Sequence, residues 1–146
     1  MKRKWKRLLL TAYAVAMLWL LYGQRMVYAQ EIGLQLRPFA TLELFWNSLR
    51  QSQDPWQKWQ AVANLLGNVV LFIPLGFFLP WIWKKWRKFW RQLLLMTALI
   101  LFVEITQLCF GLGWCDVDDL LLNLIGTTMG YGIWACACKK GKIRDA

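Results

Sequence analysis

Ala61 to Trp83 reads AVANLLGNVVLFIPLGFFLPWIW, a stretch without a single charged side chain. A helix rising ~1.5 Å per residue needs about 20 residues to cross ~30 Å of hydrocarbon, and this segment is long enough. Lipid offers the backbone no hydrogen-bond partners, so an isolated spanning segment must be helical. Two similar runs follow downstream, Leu93 to Leu112 (LLLMTALILFVEITQLCFGL) and Leu120 to Cys138 (LLLNLIGTTMGYGIWACAC). Upstream lies a shorter one, Leu8 to Tyr22 (LLLTAYAVAMLWLLY), which spans only if its helix continues past Gln24 and Arg25 towards Val27. The expected fold is therefore all-α: one polytopic membrane domain over 1–146, with transmembrane helices at about 8–27, 61–83, 92–112 and 119–138. At 146 residues, 58% hydrophobic and with a mean hydropathy of +0.34, the chain is too apolar for an ordinary soluble domain.

Charge placement predicts the orientation. Lys2, Arg3, Lys4, Lys6 and Arg7 precede the first run. Lys84, Lys85, Arg87, Lys88 and Arg91 separate the second and third, and Lys139, Lys140, Lys142 and Arg144 follow the fourth. Only Arg25, Arg37, Arg50 and Lys58 of the 18 basic residues fall in the segments between. Excess lysine and arginine marks the cytoplasmic side, so both termini are expected inside the cell. The formal charge of +10 thus has a topological reading. Its blocks flank apolar runs directly, which speaks against nucleic acid as a partner and for membrane lipid. Tryptophans 81, 83, 86 and 90 fit an aromatic belt at the inner surface. The basic, then apolar, start ending in Val27-Tyr28-Ala29 before Gln30 also resembles a cleavable signal, whose removal would leave three spans.

The loop between the first two runs carries a pattern of its own. After Arg37-Pro38, the residues Leu42, Phe45, Trp46 and Leu49 fall at helical spacing, with Glu43, Asn47 and Arg50 on the other face. This predicts an amphipathic helix from Phe39 to Arg50, lying in the outer interface. Gln51 to Gln60 reads as a connection with a turn at Asp54-Pro55.

Polar side chains where lipid disfavours them are the functional clue. Asn64 and Asn68 share a face of the second helix, and Glu104 and Gln107 a face of the third. A tight connection at Gly111 to Gly113 leads to Asp116, Asp118 and Asp119, and Asn123 follows one turn later, in line with Gly126 and Gly130. All lie at one depth, the outer leaflet and its surface. These stripes are expected to face one another, with Asn64 and Asn68 closing the third side, because facing polar groups satisfy each other. Each residue also has a structural reading. Asp116 or Asp118 can cap the fourth helix, the asparagines can bond between helices, and Gly126-x-x-x-Gly130 can pack helices closely. Pro74 and Gly76 are expected to bend the second helix and free a carbonyl. Glu104 fits a purely structural role least, since an intramembrane acid costs about 2.5–3.5 kcal/mol to insert.

NLLGNVVLFIPLGFFLP, then Glu104-x-x-Gln107, then DVDDLLLNLIGTTMGY together resemble the signature of the VanZ-like membrane proteins, across roughly Asn64 to Tyr131. LRPFATL around Pro38 resembles that family's stretch before its second helix. The resemblance implies a small helical protein of the bacterial cell membrane, whose named member is linked to resistance to the glycopeptide teicoplanin. Carried over by motif, the family positions are Asn64, Asn68, Pro74, Gly76, Glu104, Gln107, Asp116, Asp119, Asn123, Gly126 and Gly130. Many relatives place an arginine shortly before the acidic run, where this chain has Gly111-Leu-Gly113-Trp114-Cys115.

Absences narrow the chemistry. With no histidine, Ser–His and Cys–His nucleophile pairs are excluded. Ser48 and Ser52 lie in the outer loop, and are expected away from the polar cluster. Cys109 and Cys115 sit at the opposite end from Cys136 and Cys138, so the four cannot share one zinc ion, although the first two are close enough in sequence to pair. Carboxylates remain: Glu104, Asp116 and Asp119 are the candidate acids and bases, or with Asp118 hard oxygen ligands for a divalent cation. Three readings stay open. One is an envelope protein binding a lipid-linked cell-wall component or lipophilic antibiotic through Asn64, Asn68, Glu104, Gln107, Asp116, Asp118, Asp119 and Asn123. The second is a membrane-embedded enzyme acting on such a lipid. The third is a small transporter working as a homo-oligomer, with Glu104 as its coupling acid.

Overall fold

The computed structural model describes residues 3–23, 33–112 and 114–139. The candidate cleavage site at Val27 to Gln30 and the turn residue Gly113 lie outside them. Helix α1 runs Arg3–Leu18 and continues as a π-helical turn, Trp19–Gly23. A short strand β1, Gly33–Gln35, and helix α2, Ala40–Gln51, precede three long helices: α3, Pro55–Ile82, α4, Phe89–Cys109, and α5, Val117–Lys139. Strand β2, Trp114–Asp116, leads directly into α5.

Among the described residues, α3, α4 and α5 are the three helices long and apolar enough to cross a membrane. The expected fourth span is not among them. Arg3, Lys4, Lys6 and Arg7 occupy the first turns of α1, and its apolar part from Leu8 to Gly23 falls short of about 20 residues. Helix α3 starts earlier than its apolar run, at Pro55, and absorbs most of the expected connection. Asp54 caps it, its Oδ1 accepting the Trp56 N–H at 2.9 Å, and Pro55 at the first position needs no N–H partner.

The amphipathic helix expected over Phe39 to Arg50 is present within one residue of those bounds, at Ala40–Gln51. A two-stranded parallel ladder was not foreseen: Gly33, Leu34 and Gln35 pair with Trp114, Cys115 and Asp116. Three-residue strands carry too little periodicity to read from sequence.

Helix α5 packs most extensively on α3, rather than on its hairpin neighbour α4. Glycines set this contact. A Cβ at Gly76 would lie 2.1 Å from the Thr127 carbonyl oxygen, one at Gly126 2.0 Å from that of Val69, and one at Gly130 2.0 Å from that of Ile73. Nothing larger than hydrogen fits, which is the close-packing role expected of Gly126 and Gly130. Pro74 and Pro80 lie inside α3. Pro80 cannot donate to the Gly76 carbonyl, and the buried Gln92 of α4 does so instead, its Nε2 at 2.7 Å. Tyr13 of α1 donates its hydroxyl to the Leu71 carbonyl near Pro74. Around these bonds Met17, Phe72, Leu79, Met96 and Ile100 form the apolar core. At the basic end the buried Lys6 ammonium lies 4.5 Å from the centre of the Trp81 ring.

Candidate functional site

The acidic run lies at the opposite end of the bundle, where α5 begins. Asp116 Oδ1 accepts the Asp118 N–H at 2.8 Å and so caps α5 two residues before its first turn is complete. Asp118 points the other way. Its Oδ1 accepts the Phe39 N–H at 2.7 Å and its Oδ2 the Thr41 N–H at 2.8 Å, which caps α2 from a distant part of the chain. The Thr41 hydroxyl donates to Asp116 Oδ2 at 2.7 Å. Phe39 adopts φ 67°, a left-handed backbone unusual for a bulky residue, and its bond to Asp118 holds it there. Asp116 and Asp118 therefore start two helices and pin one against the other.

Behind this clamp Glu104, Gln107, Asp119 and Asn123 are buried. Glu104 is 4% exposed and its Oε2 accepts the Asp116 N–H at 3.4 Å. Asp119 accepts a short hydrogen bond from the Asn68 amide, joining α3 to α5. Asn123 is buried one turn below, and its Oδ1 has no hydrogen-bond partner. Hydrogen bonds thus join Asp119 to Asn68 and Asp116 to Glu104, but the expected facing of the α5 stripe to the Glu104 stripe of α4 is corrected: Gly126 and Gly130 of that stripe lie against α3, and Asn64 is exposed. Gln107 Nε2 donates to the Leu21 carbonyl of α1 at 2.9 Å.

Among the described residues no three His, Cys, Asp or Glu side chains stand where they could hold one ion, and Glu104, Asp116 and Asp119 do not form such a set. Cys109 and Cys115 are free thiols. Burial pushes the Cys115 thiol above its ordinary pKa, and Glu104, Asp116 and Asp119 push it the same way, so the thiol reports a negative local field.

Among the cavities beside α2, two reach α5 or the acidic motif. One, about 340 Å³, is lined by Gln35, Thr41, Ser48, Asn64 and Asp116 together with Leu44, Phe45 and Ala61. The other, about 520 Å³, is an apolar groove between Leu42 of α2 and Leu121, Ile125 and Met129 of α5, with Asp118 at its edge. Ser48 thus belongs with Asp116 and Asn64, a correction to its expected separation from the cluster. Gln35, Thr41 and Ser48 were not singled out from the sequence. The helical spacing of Thr41, Leu44, Phe45 and Ser48, a second face of α2, was the signal available.

These features define a multi-pass helical membrane protein in which an acidic motif pins a surface helix over a mixed polar cavity. The VanZ/LLP1 family model matches residues 8–138, and the chain belongs to this VanZ-like family. It is 26% identical over 131 residues to Protein VanZ of Enterococcus faecium, across 90% of this chain and 74% of that protein. No solved structure matches it.

Proposed function

We propose that this chain is a cell-envelope protein that binds an amphiphile, either a lipid-linked cell-wall component or a lipophilic glycopeptide, at the outer leaflet. The observation that carries the reading is the 340 Å³ cavity, whose wall combines Gln35, Thr41, Ser48, Asn64 and Asp116 with the apolar Leu44, Phe45 and Ala61. Such a wall suits a polar head on an apolar stem. The size limits the occupant, because small-molecule sites run to ~300–1,000 Å³ and this one lies at the lower end. A headgroup or one arm of a glycopeptide fits; an entire glycopeptide does not.

The orientation belongs to the same proposal. Helix α1 acts as a fourth span, and the basic blocks keep both termini in the cytoplasm. In cysteine-free protein, a reporter cysteine at Ser52 should react with impermeant thiol reagents in intact cells, whereas one at Lys88 should not. The reverse pattern would move the cavity to the cytoplasmic face and end the envelope reading.

Binding is tested by filling the cavity. Purified protein in nanodiscs should bind teicoplanin or a lipid-linked peptidoglycan precursor saturably. Ser48→Leu with Asn64→Leu should abolish binding while leaving thermal stability near the parent value. Undiminished affinity in the filled variant would show that the ligand sits elsewhere.

A further inference from the structure

The described carboxylates, Glu43, Asp54, Glu104, Asp116, Asp118 and Asp119, all belong to the end of the bundle where α2 lies and α5 begins. At the other end, where α1 and α4 start and α3 and α5 stop, the described charged residues are all lysines and arginines. Two helix starts and two helix ends meet there, so their dipoles largely cancel and the side chains set the sign of the field.

Topology accounts for most of these cations but not for Lys6. The positive-inside rule counts lysines and arginines beside a span and asks nothing of where their side chains lie. Lys4 and Arg7, its neighbours on α1, are exposed, whereas Lys6 is 4% exposed. An ammonium has three N–H donors. Among the described residues Lys6 has no carboxylate partner and no hydrogen-bond acceptor, and its charge lies 4.5 Å from the centre of the Trp81 ring. A ring face attracts a cation but accepts no three hydrogen bonds, so the charge is left short of the partners that water would supply. The nitrogen stays within reach of a ligand: the sealed and unpartnered polar atoms of the described residues are Gln92 Oε1, Asn123 Oδ1 and Trp134 Nε1.

What lies below the ammonium fixes the kind of anion. Trp81 packs on Phe77 and Phe78, with ring centres 5.5 and 5.8 Å away and one turn deeper in the spanning helix α3. A cation at the membrane surface above apolar rings at hydrocarbon depth complements a phospholipid, whose phosphate sits above its chains. Basic sites between spanning helices hold anionic headgroups in this way.

We infer that Lys6, over Trp81 in the groove between α1 and α3, seats the phosphate of an anionic phospholipid whose chains lie against Phe77 and Phe78. This seat is separate from the cavity beside α2, at the opposite end of the bundle.

The test uses the full chain, delipidated in neutral detergent at ~0.15 M salt, where charges more than ~8 Å apart are largely screened. Native mass spectrometry follows binding of dioleoylphosphatidylglycerol and dioleoylphosphatidylcholine, which share their chains and differ in net headgroup charge. The first phosphatidylglycerol should bind at least ~10-fold tighter, a difference of about 1.4 kcal/mol. Lys6→Gln should bring the two lipids within ~3-fold of each other, and Lys6→Arg should restore the preference. Lys139→Gln removes an equal charge from the exposed end of α5 and should leave the preference in place. Equal affinities in the unmodified chain would overturn the proposal before any variant is made. A preference that Lys6→Gln leaves intact, or that Lys139→Gln loses to the same extent, would replace the seat by a diffuse field and overturn it too. Displacement of the lipid by inorganic phosphate at the lipid's own concentration would show that a free anion suffices, and would overturn the lipid as occupant.

Discussion

Replacing Gly126 by alanine should separate the two most intimately packed helices. The added Cβ would meet the Val69 carbonyl oxygen at 2.0 Å, and real Cβ atoms do not approach within 3.0 Å. Relief therefore requires α3 and α5 to part by about 1 Å over a contact that Gly76 and Gly130 also tighten. Overpacking costs roughly 1–3 kcal/mol where side chains can shift. Here the obstacle is backbone on both sides, which places the cost near ~3 kcal/mol. Better helix propensity returns up to about 1 kcal/mol, leaving a net loss of ~2 kcal/mol. Gly67 and Gly132 are the internal controls, since a Cβ at either meets nothing within 4 Å. Their alanine variants should gain about 0.5–1 kcal/mol. Unfolding measured by steric trapping in bicelles should thus separate Gly126→Ala from Gly132→Ala by ~3 kcal/mol, on the order of 100-fold in the unfolding constant. Values for the two within about 0.5 kcal/mol of each other would refute the steric argument.

Asp118→Ala leaves the N–H groups of Phe39 and Thr41 without their acceptor. At about 1 kcal/mol for each of the two lost bonds, hydrogen exchange across α2 should accelerate roughly 30-fold, and unchanged exchange would show that α2 is held by other contacts. Asp119→Asn should lower the raised pKa of Cys115 only in part, because burial is the larger cause. A lower pKa means more thiolate at a given pH, so maleimide labelling of a variant with Cys115 as sole cysteine should quicken and its pH profile move down; a profile unmoved from the parent's would remove the Coulombic role. Gln92→Leu should cost about 1 kcal/mol less in the Pro80→Ala background than in the parent. Residue 80 then supplies the N–H that the Gly76 carbonyl lacks, and additive effects would show that the Gln92 bond contributes nothing.

What could be read from the sequence follows from how far each signal reaches. The three long spans were legible because hydrophobic length is a property of contiguous residues. Gly126-x-x-x-Gly130 announced a close contact, and Pro74 announced a freed carbonyl, although the carbonyl that Gln92 bonds is the one Pro80 leaves without a donor. The partners were not legible: Gln92 lies across a helix boundary from Gly76, and nothing in its own segment marks it as the donor. The chain also assigns the glycine seam to α3 rather than to α4, although the short α4–α5 connection favoured the latter. Loop length limits which helices can be neighbours; the fit of backbone against backbone decides which are closest.

The acidic run illustrates a consequence for how motif residues are assigned. Read along the chain, Asp116, Asp118 and Asp119 sit at the head of one helix, where an acid is expected to cap. In three dimensions, Asp116 and Asp118 satisfy helix starts belonging to two segments separated by more than seventy positions. Substituting Asp118 therefore disturbs α2, the cavities beside it and the wall that Thr41 and Ser48 provide. Loss of activity in such a variant follows equally from a lost ligand contact and from a displaced helix, so it cannot assign chemistry to the carboxylate. Asn64 and Ser48 separate the two. Both face the 340 Å³ cavity from different helices, and Asn64 is exposed, so changes there alter the wall while the clamp stays intact. Function that survives at Asn64 and Ser48 but fails at Asp118 would identify the acidic motif as architecture. Function lost at all three, with α2 still protected from exchange in the Asn64 and Ser48 variants, would locate recognition in the cavity itself.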